Sequence, residues 1–141
     1  MASLSRKEAR IEAFHLLFET EFQANADPCQ VYSRSVENRE LEENEYIREV
    51  YFGVREHLLE IDDIILRHAK GWRTERITPV SRSIMRLSIY EMLYMESIPV
   101  TVSLNEAVEL VKKFDDEKMR AFVNGVLNAA KDEIEQKRAQ G

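Results

Sequence analysis

Apolar side chains recur every third or fourth residue along nearly the whole of this sequence, and that spacing restricts what the chain can fold into. The longest run is Ile47, Val50, Tyr51, Val54, Leu58, Ile61 and Ile65. It keeps one face apolar for about five turns and predicts a single long helix. A strand would need alternation instead, and none is present. Four glycines and three prolines in 141 residues are too few to punctuate a strand-and-turn architecture. The expected class is all-α, as one domain spanning 1–141, and the 44% apolar residues suffice for one ordinary core.

The ends of the other helices can be read from their caps. Ser5 and Glu8 form the S-x-x-E pattern of a capping box ahead of Ala9, Ala13, Leu16 and Leu17, with Phe14, Phe18 and Phe22 along a neighbouring face. That helix is expected to fade around Ala24 to Asp27, and Asp27-Pro28 starts a second one over 28–38. A polar joint from Asn38 to Asn44 precedes the long helix, which Gly71-Trp72 ends, with a short turn over 72–77. Pro79 suits the first turn of the next helix. Its apolar residues Ile84, Met85, Leu87, Ile89, Met92 and Leu93 fall nearly all round the wheel, as in a central helix packed on several sides. Ile98-Pro99 stops it. Ser103 and Glu106 form a second expected capping box, and Asp115-Asp116 break that helix and cap the last one. Asn124-Gly125 resembles a hairpin turn locally, but the 3.6 period on both flanks places Gly125 inside a helix, with a close neighbouring helix expected to compensate. The charged tail from Lys131 to Gly141 is expected to fray.

Several chemistries find no support in these residues. One cysteine, Cys29, offers neither an internal disulfide nor a cysteine-based zinc site, and points to a reducing interior. His15, His57 and His68 share no metal-binding spacing, and no glycine-rich loop could cradle a phosphate. Asp62-Asp63 and Asp115-Asp116 read as surface or capping residues. No cofactor, metal or catalytic residue is expected. With no apolar run of membrane length and no signal peptide at the start, a cytoplasmic, membrane-free protein is expected.

One cluster stands apart. Arg6 and Arg10 are spaced i, i+4, with Lys7 beside them, in the opening turns of a helix. The helix dipole disfavours cations there by roughly 0.3–1 kcal/mol. On a chain of net charge −6, a cationic helix start reads as a docking point for phosphates, completed by free backbone N–H groups. A solvated charged face is the plain alternative. Three phosphate contacts on single-stranded RNA give a salt slope of only roughly −2, so such a patch attracts RNA without securing it. Phe18, Tyr90 and Phe122 are candidates for base stacking, although each also sits at core spacing.

Four segments carry a resemblance. Val80 to Met92, with Arg86, Tyr90 and Glu91, resembles the R-x-x-x-Y-E-L helix of the NusB family. Ile98 to Leu110 resembles that family's V-x-x-N-E-A-V-E-L segment, and Phe122-Val123-Asn124-Gly125-Val126-Leu127 its F-V-N-G-V-L ending. Ser5 to Arg10 is similar to the family's arginine-rich start. The resemblance implies about seven helices in two small bundles, here the helices within 5–77 and those within 78–137. It implies a transcription antitermination factor, not an enzyme. Such a factor pairs with NusE, a ribosomal small-subunit protein, binds boxA RNA during ribosomal RNA transcription, and works with NusA, NusG and RNA polymerase. Carried over by position, the RNA surface includes Arg6, Lys7, Arg10, Phe18, Arg86 and Phe122. Arg82, at i, i+4 from Arg86, and Lys118 and Arg120, before Phe122, are added on spacing alone. Glu8 stands where some family members have another base, which weakens the patch. Two other readings remain: the NusB-like front module of an RNA cytosine methyltransferase, which requires a Gly-rich catalytic domain that the sequence to Gly141 lacks, and a regulatory homodimer that buries the RNA face.

Overall fold

The structure, a computed structural model, describes residues 4–23, 25–38, 44–72 and 74–140. Ala24, Arg73 and most of the joint expected between Asn38 and Asn44 lie outside them. Among the described residues there are seven α-helices, one 3-10 turn and no strands: α1 (Arg6–Glu21), α2 (Pro28–Asn38), α3 (Glu45–Glu56), α4 (Leu58–His68), the turn Thr74–Arg76, α5 (Pro79–Tyr94), α6 (Val100–Phe114) and α7 (Glu117–Ala139). None of these helices is long and apolar enough to cross a membrane.

Most helix starts follow from local chemistry. At α1 the capping box is complete: the Glu8 N–H donates to Ser5 Oγ at 3.0 Å and the Ser5 N–H donates to Glu8 Oε1 at 2.9 Å. Asn44, Thr78 and Asp116 each accept a backbone N–H three residues ahead, capping α3, α5 and α7. The stretch expected as one long helix is instead two, because the backbone of His57 departs from helical geometry (φ −104°, ψ 23°) between α3 and α4. The His57 ring stacks on Tyr94 of α5 at 4.3 Å, a contact made only in the folded chain. Past α4, Gly71 adopts φ +86°, the left-handed conformation that ends helices.

Helix α5 is the central element, as its all-round apolarity predicts. Ile84, Met85, Ile89 and Met92 are fully buried, and α5 packs against α1, α3, α4, α6 and α7. One contiguous core draws on every α-helix, with Leu16, Tyr51, Ile61, Ile64, Val111 and Leu127 among its buried members. Burying each large aliphatic or aromatic side chain contributes roughly 1.5–3 kcal/mol. Asp115, the C-cap of α6, accepts from the hydroxyls of Thr78 and, at 2.7 Å, Ser81, which ties the start of α5 to the α6–α7 junction.

Three local expectations are corrected. Ser103 does not cap α6, which already begins at Val100; it lies inside the helix and donates to Glu91 at 2.8 Å. The tail does not fray from Lys131. Helix α7 continues to Ala139 because Ile134 is buried and the Arg138 guanidinium donates to the carbonyls of Met92, in the last turn of α5, and Ile98, in the connection after it. Gly125 is helical as expected, but a Cβ there would meet nothing within 4 Å, so no neighbouring helix compensates it.

Candidate nucleic-acid interface

The cationic start of α1 does not act as one unit. Arg10 is 5% exposed, and its guanidinium grips the fully buried carboxylate of Glu91, with Nε at 2.8 Å from Oε2 and Nη2 at 3.2 Å from Oε1. The same carboxylate accepts from the Tyr46 and Ser103 hydroxyls. All four side chains come from different helices: α1, α3, α5 and α6. Burial works against the Arg10 charge, but the Glu91 hydrogen bonds and charge outweigh it and hold its pKa above the usual arginine value. At Tyr46 burial and Glu91 act together instead: burial, then the charge and hydrogen bond of Glu91, pushes its hydroxyl up. Arg10 is therefore a core ion-pair residue and is not available to phosphate, which corrects its placement on the RNA surface.

Arg86 is likewise committed. It makes a bidentate pair with Asp62, at 2.8 and 2.9 Å, and also donates to Glu21. Arg82 reaches the same Glu21 at 3.4 Å and donates to the Ile77 carbonyl. These contacts run α1 and α5 antiparallel, because Arg10 meets Glu91 near one end and Glu21 meets Arg82 and Arg86 near the other. From Arg6 to Glu21 the helix axis covers about 22 Å at 1.5 Å per residue. The structure thus separates Arg82 and Arg86 from Arg6 and Lys7. Phe122 is 1% exposed. It packs edge-on beneath Trp72 at 4.9 Å, and the indole is the ring that faces solvent. Tyr90 is buried, and its hydroxyl donates to Glu49.

The cations that stay exposed at the start of α1 are Arg6 and Lys7. The Arg6 guanidinium lies over the Tyr46 ring at 4.5 Å, and Lys7 is a loose 3.8 Å from Glu106 with its side chain 67% exposed. The helix start is also less open than expected. Glu8 occupies it, its pKa lowered by the backbone and side-chain hydrogen bonds of Ser5, and its carboxylate balances the dipole there. Lys118 is exposed at the start of α7, and Arg120 makes a 3.5 Å ion pair with the exposed Glu117. Phe18 is half-buried on α1.

Two features were not singled out by the sequence reading. A groove of about 410 Å³ between α1 and α6 brings Lys7 and Ile11 together with Lys112, Lys113, Glu106 and Glu109. Beside α1 lies a cleft of about 530 Å³ lined by His15, Phe18, Phe22, Gln23, Ser35 and others. Phe22 is 65% exposed at its mouth. The Lys112-Lys113 pair was visible as a basic doublet, but nothing local shows that it faces Lys7. The exposure of Phe22 was hidden by its regular spacing from Phe14 and Phe18, which reads as core.

Comparison with known proteins bears on the whole chain. The profile of the NusB family matches residues 7–132. The transcription antitermination protein NusB of Bacillus pumilus strain SAFR-032 is 42% identical over 133 residues, covering 94% of this chain and 99% of the relative. That of Bacillus licheniformis is 37% identical over 132 residues, covering 94% and 100%. Among solved structures, NusB of T. maritima superposes with a TM-score of 0.84 at 32% identity, over 94% of each chain. A structure of the antitermination factors NusB and NusE in complex with dsRNA matches with a TM-score of 0.78 at 32% identity, covering 90% of this chain and 96% of that one.

Proposed function

The chain belongs to the NusB family, and from that premise we propose that it is a transcription antitermination factor that binds RNA jointly with NusE. It works as a cytoplasmic heterodimer on the boxA element during ribosomal RNA transcription, alongside NusA, NusG and RNA polymerase. It is a binding factor with no catalytic step of its own. The observation that carries this reading is the correspondence, over 90% of this chain, with NusB seen in a NusB–NusE complex with dsRNA. The physical character of the surface supports it: a few exposed cations on a molecule of net charge −6 draw RNA but do not hold it alone, so a partner has to supply the remaining phosphate contacts.

With Arg10, Arg82, Arg86 and Phe122 engaged inside the fold or in ion pairs, the residues proposed to touch RNA are Arg6, Lys7, Phe18, Lys118 and Arg120. Arg82 and Arg86 are proposed to shape the surface through Glu21 and Asp62, and Phe122 to support Trp72. The test is a salt-dependent titration of labelled boxA RNA with the chain alone and with NusE. Adding NusE should tighten binding and steepen the salt slope. Arg6→Ala with Lys7→Ala should flatten the slope by about 1.4, at roughly 0.7 per lost contact on a single strand, with the melting temperature unchanged. A titration in which NusE adds nothing, or in which the double variant binds like the parent, rejects the proposal.

A further inference from the structure

Positions 7, 11, 15 and 18 of α1 and its C-cap, Phe22, follow one another at helical spacing along its outer face. At one end is Lys7, joined across the groove by Lys112 and Lys113 of α6. Lys113 lies over the Phe114 ring at 5.4 Å. From Phe114 a chain of rings continues along α1, through His15 at 5.6 Å and Phe14 at 5.2 Å, then from Phe14 to Phe18 at 6.1 Å and from Phe18 to Phe22 at 5.0 Å. It ends in the cleft between α1 and α2. Cations at one end of this face and the exposed Phe22 ring beside half-buried Phe18 at the other, about 22 Å apart along the helix axis, are the parts of a single-strand track.

We infer that the α1–α2 cleft is a nucleobase subsite, with Phe22 as its stacking face, and that Lys7, Lys112 and Lys113 line the phosphate path leading to it. The inference rests on the RNA-binding reading and adds residues which that reading does not assign. The cleft's own chemistry selects a base over other occupants. Its floor is aromatic, yet its rim carries the amides of Gln23 and Asn38 and the Glu19 carboxylate. Glu19 is fixed by the Ser35 hydroxyl, which donates to it at 2.7 Å. Glu19 also accepts from the Gln23 amide at 3.5 Å, so a purely apolar partner would leave only the rim's remaining donors and acceptors unmatched, and a phosphate would meet the carboxylate. A base has an apolar face for the rings and donors and acceptors along its edge for the rim. The groove is only weakly positive, since Glu106 and Glu109 stand among its lysines, so the lysines guide the backbone and stacking supplies the hold.

The experiment is a fluorescence-anisotropy titration of a labelled single-stranded boxA oligoribonucleotide against the full chain, with and without NusE, over a range of salt. Phe22→Ala should weaken binding at least about fivefold, since stacking contributes about 1–3 kcal/mol per base, and should leave the salt slope unchanged. Lys112→Gln with Lys113→Gln should flatten the slope by about 1.4. Both variants alter exposed side chains, and unchanged melting curves confirm that they fold. Parental affinity in Phe22→Ala, or a parental slope in the lysine variant, overturns the inference while leaving the RNA reading intact. If the parent chain binds no RNA even with NusE, the RNA reading fails first. If Phe22→Ala changes self-association in sedimentation and not RNA affinity, the cleft is a protein contact, and the inference is overturned.

Discussion

Replacing Arg10 with alanine separates a phosphate ligand from a core ion pair, because the two roles predict opposite outcomes. In the structure Arg10 is one half of a buried pair whose other half, Glu91, has no solvent contact and also holds the Tyr46 and Ser103 hydroxyls. Removing the guanidinium leaves that carboxylate buried without its countercharge, a loss that costs about 3–5 kcal/mol. Set against a total stability of about 5–15 kcal/mol, this is a large fraction. At about 3 °C per kcal/mol for a chain of this size, the melting temperature should fall by roughly 10–15 °C. Urea denaturation followed by circular dichroism should show a lower midpoint at unchanged slope. Arg10→Lys keeps the charge but cannot make the two-pronged contact, so it should fall between the alanine variant and the parent. In a double-mutant cycle with Glu91→Ala, the two losses should be far from additive. An Arg10→Ala protein that melts with the parent but loses RNA affinity and salt slope would refute the assignment and return Arg10 to the surface.

Three further outcomes follow from the same geometry. A Cβ built on Gly53 of α3 would overlap the Tyr90 ring, so Gly53→Ala should push that ring off Glu49 and cost about 1–3 kcal/mol in urea denaturation; an unchanged midpoint would contradict the packing. Gly125 is helical and open to solvent, so Gly125→Ala should stabilise the chain by about 1 kcal/mol, and a loss of stability would mean that its surroundings are crowded. Burial, followed by Glu49 at Tyr90 and Glu60 at Tyr94, pushes both hydroxyls from 10.0 up to about 12. Because the folded state favours the neutral phenols, their contribution to stability is complete below pH 10 and is lost as the pH rises through about 12. The near-ultraviolet phenolate signal that distinguishes the parent from a Tyr90→Phe, Tyr94→Phe variant should rise near the upper value, and a midpoint at the ordinary one would refute the environment described.

The sequence by itself determined the all-helical class, the central place of α5 and most helix starts. Each depends on interactions within about one turn: the 3.6 period of Ile84 to Met92, the Ser5–Glu8 capping box, and Thr78 and Asp116 as N-caps. Where the cue was local but the outcome depended on a distant residue, the reading went astray. Ser103 had the spacing of a cap, but Glu91 of a neighbouring helix claims its hydroxyl. The apolar run through His57 had the period of one helix, but that residue breaks it and its ring stacks on Tyr94. Which cations are free was decided only by tertiary structure. Arg6, Lys7 and Arg10 look alike in the sequence, and so do Arg82 and Arg86, but their partners Glu91, Asp62 and Glu21 lie tens of residues away along the chain. Periodicity tells which face of a helix turns inward. Which carboxylate waits on the other side of that contact is set only when the helices pack, and that contact decides whether a charge belongs to the core or to RNA.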